Sequence, residues 1–263
     1  MRWLDRIARS DRSATDAAAQ MAAAHAAATR NDYAAALEIW GPLAHAGVAR
    51  AQNNVGACFA EGFGVARDSA LALRWLTLAA NAGDPVGQRN LAALYFNGNG
   101  VDPDYARAAV LYRAAAEQGD APAQDMLSWM LLEGECIAPD ATEARRWALA
   151  AAEQGAASAM TRVGMLYHNA LGVDRDPAEA ARWWRRGAER GDADGQAMLG
   201  AACTMGSGVS RDPVAGLAWL LRAQAGGSPL AGAFLAAARA ALDADGIAEA
   251  KRRMGAPLAE VAP

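Results

Sequence analysis

The chain has 263 residues, 53% of them hydrophobic and only 6% aromatic, with a formal net charge of -4 and a pI near 5.4. That acidic balance speaks against a general nucleic-acid binder, whose domains carry a basic footprint. No stretch of 18 apolar residues is free of charge, so no membrane-spanning helix is expected.

The opening segment, Met1-Arg2-Trp3-Leu4-Asp5-Arg6, lacks an apolar core because Asp5 and Arg6 interrupt it, and a secretory signal is not expected. Trp3, Leu4 and Ile7 form a short apolar stripe, expected to pack on the first repeat as a cap; a membrane-surface anchor is the lesser reading. A helix is predicted over about Ser13–Thr29, and Asp32–Gly47 reads as a second helix ended by glycine. Residues 1–48 are thus expected to be a cap and partial repeat.

From there the chain is periodic. Glycine recurs at 47, 83, 119, 155, 191 and 227, always 36 residues apart. Aspartate keeps the same register at 32, 68, 104, 140, 176 and 212. Trp75, Leu111, Trp147, Trp183 and Trp219 form a third column. Such a period marks a solenoid, whose units bury their faces against their neighbours. Five full units cover residues 49–228, each with two predicted helices, A and B, around a glycine-rich turn.

The first unit predicts helix A at Ala51–Glu61, the turn Gly62-Phe63-Gly64-Val65, and helix B at Ser69–Asn81. Glycine just past helix B suits the left-handed backbone of a helix end. Aspartate just before helix B suits an N-cap. The offsets 3, 4 and 7 put Gln52, Val55, Gly56 and Phe59 on one core face of helix A, and Ala72, Trp75, Ala79 and Ala80 supply the core face of helix B. In the fourth unit Ala170 replaces the turn glycine, and Asn169 is expected to take the left-handed position; Cys136 stands in another glycine column and makes the third turn atypical. After Gly227, Pro229–Leu242 reads as a further helix A and Ile247–Met254 as a short closing helix, with Gly255–Pro263 frayed. Residues 229–263 are therefore expected to cap the array.

The unit Ala-x-x-x-Leu-Gly/Ala-x-x-Tyr-x-x-Gly-x-Gly-Val-x-x-Asp, followed by Ala-x-x-Trp-x-x-x-Ala-Ala-x-x-Gly, resembles the Sel-one-like repeat of the tetratricopeptide superfamily over 49–228, and in part over 32–47. The resemblance implies an all-α, right-handed superhelical solenoid of antiparallel helix pairs, with helix A on the concave side. It also implies a scaffold or adaptor role, often bacterial. Secreted members carry paired cysteines in each repeat; here Cys58, Cys136 and Cys203 lie in alternate repeats, too far apart to pair. A reduced, cytoplasmic protein is the expectation.

Catalytic patterns are not found. Gly62-Phe63-Gly64, Gly98-Asn99-Gly100 and Gly206-Ser207-Gly208 look like half a phosphate loop, but they recur with the repeat and read as turns. The three histidines are scattered and no Cys-x-x-Cys exists, so neither a metal nor a cofactor is expected. Arg182-Trp183-Trp184-Arg185-Arg186 reads as a core tryptophan, Trp183, among solvated arginines, with Trp184 the departure from its column.

The informative positions are those on helix A outside the expected core, two before, two after and five after Val55. They bring Arg89, Asp125, Trp129, Met165, Phe96 and His168 onto one stripe. Trp129 stands where alanine is usual, and a tryptophan at the centre of a groove is a favoured hot spot; filling space in the irregular third repeat is the competing reading. The function expected is a non-enzymatic interaction scaffold holding a protein or peptide in its concave groove. The alternatives are a self-associating assembly factor and, less favoured, an enzyme subunit. The oligomeric state stays open.

Overall fold

A computed structural model describes residues 2–134 and 136–258, with side chains from residue 16 onward. The stripe of Trp3, Leu4 and Ile7, and residues 259–263 of the expected tail, lie outside the described residues and side chains. Among the described residues there are fourteen helices and no strand. Helix α1 spans Arg2–Thr29 and α2 Tyr33–His45. The A helices are α3 (Ala49–Glu61), α5 (Pro85–Asn97), α7 (Ala121–Glu133), α9 (Ala157–Asn169) and α11 (Ala193–Met205). The B helices are α4 (Ser69–Asn81), α6 (Tyr105–Glu117), α8 (Ala141–Glu153), α10 (Pro177–Glu189) and α12 (Pro213–Ala225). Helices α13 (Ala231–Ala240) and α14 (Ala244–Gly255) close the chain. Helix α1 begins well before Ser13 because residues 2–12 contain neither glycine nor proline to stop it. By compactness the chain divides into two units, one ending at Asp120 and one beginning at Ala121.

The aspartate before each B helix has two tasks. Its side chain caps the helix: Asp68 accepts from the Leu71 N–H at 2.9 Å and Asp212 from the Ala215 N–H at 3.0 Å. Its own N–H donates back to helix A, Asp68 to the Phe59 carbonyl at 2.9 Å and Asp212 to the Cys203 carbonyl at 2.9 Å. One residue type therefore caps helix B and ties the loop to helix A, and a capping side chain is worth about 1 kcal/mol.

Helix A ends in the left-handed region. Gly62 has φ +80°, but in the fourth repeat it is Ala170, at φ +56°, that adopts this conformation; Asn169 stays helical. The expectation for Asn169 is thus corrected. The position is fixed by the Leu171 N–H, which donates to the Leu166 carbonyl at 3.0 Å, so the residue at 170 bends whatever its type.

The core also differs from the expected pattern. The centre of helix B is the column after the tryptophans: Leu76, Tyr112, Ala148, Trp184 and Leu220 are all at most 4% exposed. Trp75, Trp183 and Trp219 are only half-buried, and Trp147 is the one buried member of its column. The physical reason is the stripe 72, 76, 79, 80, which follows i, i+4, i+7, i+8 and puts position 75 on its flank. Arginines cover these flanking rings: the Arg146 guanidinium lies 4.2 Å from the Trp147 centroid and Arg186 4.1 Å from Trp183. Helix A contributes a further column outside the expected core face, in which Cys58, Leu94, Met130, Leu166 and Ala202 are buried.

Facing columns are matched in size. Gly56 stands against Leu76, Gly164 against Trp184 and Gly200 against Leu220, at distances that leave no room for a Cβ. In the third repeat the same two columns hold Ser128 and Ala148, both fully buried. Small-against-large pairing lets the two helices of a repeat approach closely at interior density.

Candidate functional site

In the second unit α9 lies between α7 and α11, and their outward faces line an open pocket of about 380 Å³. Trp129 and Leu132 come from α7, Met165 from α9 and Met198 from α11, all half-buried. Polar groups edge the pocket: Ser158, Thr161 and Arg162 of α9, Asp192 and Asp194 at the start of α11, and Glu133 at the end of α7. The spacing explains the gathering. Ser158, Arg162, Met165 and Asn169 stand at i, i+4, i+7 and i+11 of α9, one face of one helix.

The polar edge is tightly ordered. Arg162 donates through Nη2 to Asp125 at 3.1 Å, and Ser158 Oγ donates to the other Asp125 oxygen at 2.6 Å. Thr161 Oγ1 donates to Asp192 at 2.6 Å, while the same carboxylate caps α11 by accepting from the Gly195 N–H at 2.7 Å. Ser228 Oγ donates to Asp194 at 2.6 Å. The side chains below the pocket are therefore held in place before anything binds, which lowers the ordering cost of association.

The six residues singled out from the sequence fall in different places. Trp129 and Met165 line the pocket, and Asp125 borders it through Arg162. His168 instead faces α10, its ring 5.3 Å from Trp184 and its Nδ1 buried without a hydrogen-bond partner. Arg89 and Phe96 belong to the first unit. Arg89 grips both oxygens of Asp120, at 3.0 and 2.8 Å, and Phe96 meets Tyr105 edge to face at 5.4 Å.

The stripe that faces the pocket also lies one step off the expected axis. Asn53, Thr161 and Ala197 are buried, so the column two before Val55 is largely interior. The stripe that reaches the pocket runs through positions 50, 54, 57 and 61 of the repeat, and it adds Ser158, Asp194, Arg162 and Met198. A signal for it was present: columns 50 and 54 vary freely, reading Arg50, Val86, Pro122, Ser158, Asp194 and Asn54, Asn90, Met126, Arg162, Met198.

Among the described residues no group of three or more histidine, cysteine or acidic side chains could hold a metal ion, and no helix is long and apolar enough to cross a membrane. All three cysteines are free. Burial pushes the Cys58 thiol up from 9.0 to about 11 and raises Cys203 as well, so both are held protonated near neutral pH.

Comparison with known proteins places these features. The model of the Sel1 repeat matches residues 49–84, 85–120, 121–155, 157–192 and 193–228. A Sel1 repeat protein from Oxalobacter formigenes is similar in structure, with a TM-score of 0.80 and 25% identity over 93% of this chain and 99% of its own. PA5086 from Pseudomonas aeruginosa shares the fold at a TM-score of 0.50 and 18% identity, over 85% of this chain and 83% of its own. No curated protein matches the sequence.

Proposed function

Since this chain belongs to the Sel1 repeat family, whose members mediate protein–protein interactions, we propose that it is a non-catalytic adaptor holding a protein or peptide segment against α7, α9 and α11. The observation that carries this reading is Trp129. A large ring stands in a column otherwise filled by Ala57, Ala93, Met165 and Ala201, and it is half-buried at an open pocket beside Met165 and Met198. A rigid aromatic anchor with flexible thioethers around it and an ordered polar edge is the composition of a binding hot spot. The three free thiols, one of them only half-buried, support a reducing compartment, and we place the adaptor in the cytoplasm. The test is Trp129→Ala in titration calorimetry with the partner peptide. A loss of about 2 kcal/mol with an unchanged thermal melt is expected. Unchanged affinity in a folded variant refutes the assignment.

A further inference from the structure

The groove has a charge as well as a shape. Glu133, Asp192 and Asp194 line it, and Arg162 is the one cation among the lining residues. That cation is committed to a fourth carboxylate, Asp125, at 3.1 Å. The two aspartates at the start of α11 are held by neutral donors: Asp192 by Thr161 Oγ1 and the Gly195 N–H, Asp194 by Ser228 Oγ. Those hydrogen bonds orient the carboxylates without neutralising them. The positive end of α11 offsets about half a charge at Asp192 and Asp194, which leaves the groove clearly negative. The acids sit at the two ends of an apolar floor made by Trp129, Met165 and Met198, with Asp192 and Asp194 at the start of α11 and Glu133 at the end of α7.

Resting on the reading of this groove as the binding site, we propose that its occupant is a basic, amphipathic peptide segment: an aliphatic or aromatic side chain seated on Trp129 and Met165, with lysine or arginine close by in sequence reaching Asp194 or Glu133. Charge complementarity selects the basic partner, because an acidic segment would meet several carboxylates with the nearest guanidinium already paired. The apolar floor selects against a bare polyamine, whose short methylene runs between hydrated ammonium groups would remove little of the tryptophan and methionine surface from water. At about 380 Å³ the pocket has room for a side chain or two and not for a folded domain.

A random twelve-residue peptide library displayed on phage, panned against the full chain, supplies the probe. The enriched peptide is then synthesised and titrated into the parent, Trp129→Ala, and the double variant Glu133→Gln, Asp194→Asn, in which the amide oxygen at position 194 still accepts from Ser228. Enriched peptides are expected to pair an apolar residue with lysine or arginine within two positions. Binding should weaken about thirtyfold in Trp129→Ala and about tenfold in the double variant, and by a similar factor between about 0.05 and 0.5 M salt. Peptides that depend on Trp129 yet are acidic, or indifferent to the double variant, overturn the basic class and leave the groove standing. Peptides that bind Trp129→Ala as well as the parent overturn the groove itself. An empty selection, or a dimer by light scattering that Trp129→Ala dissolves, overturns the proposal by showing the groove vacant of peptide or covered by a second copy.

Discussion

Gly164 on α9 and Trp184 on α10 form the tightest of the size-matched pairs inside a repeat, and a mutant cycle on them measures how the two helices are fitted. A Cβ placed on Gly164 would come within 2.5 Å of the Trp184 Nε1 and 3.0 Å of the Ala180 carbonyl oxygen. The ring is only 2% exposed, so it has no free space into which to swing. Gly164→Ala should therefore cost about 1–3 kcal/mol of overpacking, reduced by up to about 1 kcal/mol of helix propensity, for a net loss of roughly 1–2 kcal/mol. Trp184→Ala empties the site and should cost about 3–5 kcal/mol. With the ring gone, the same Gly164→Ala change loses its two closest contacts and keeps only the Ala180 carbonyl at 3.0 Å; it gains propensity and fills part of the void, so it should stabilise that background. The double variant should then be more stable than Trp184→Ala alone, with a coupling of about 2–3 kcal/mol. Urea unfolding of the four proteins, followed by circular dichroism, gives the cycle. If Gly164→Ala costs the same in both backgrounds to within about 0.5 kcal/mol, the ring is not what keeps position 164 a glycine.

Trp147→Ala should lose about 3–5 kcal/mol, whereas Trp75→Ala, at a half-buried flank against His45, should lose clearly less; equal melting shifts would place both rings at the same depth and refute the core described above. Asp84 caps α5 through the Gly87 N–H and accepts from Arg50 Nε, each at 2.8 Å, so Asp84→Ala should cost about 1–2 kcal/mol, and an unchanged urea midpoint would contradict the double role. Alkaline stability follows from the buried acids: burial raises the Cys58 thiol to about 11 and the Tyr112 hydroxyl to about 12. Both pKa values are higher folded than unfolded, so their contribution is complete below about pH 9 and is lost as the pH rises through 11 to 12. Cys58→Ser should flatten the first part of that decline in melts run from pH 8 to 11, and an identical slope would exclude the thiol as its cause. In native protein a disulfide-exchange reagent at pH 8 should react with Cys136 well before Cys58 and Cys203, which are buried; three equal rates would refute their burial.

The sequence by itself determined the repeat, its length and, to within two residues, the boundaries of its helices, because glycine, aspartate and alanine act locally. A left-handed helix end, a cap and a close-packed stripe are each decided within a few residues, and repetition over five units made each signal legible. It also pointed to Trp129, as an outlier in its column. What it did not decide is rotation about the helix axis. Trp75 and Leu76 differ by one residue, about 100° around a helix, and only the neighbouring helix says which of them is interior. Column 76 is, because the facing column 56 is small enough to admit Leu76, Trp184 and Leu220. The same ambiguity displaced the groove stripe. Met198 and Asp194 came into the pocket with Trp129 and Met165 while His168 turned to Trp184, since the direction in which α9 presents its faces depends on how α7, α10 and α11 pack around it, and that is a property of the stack and not of any one repeat.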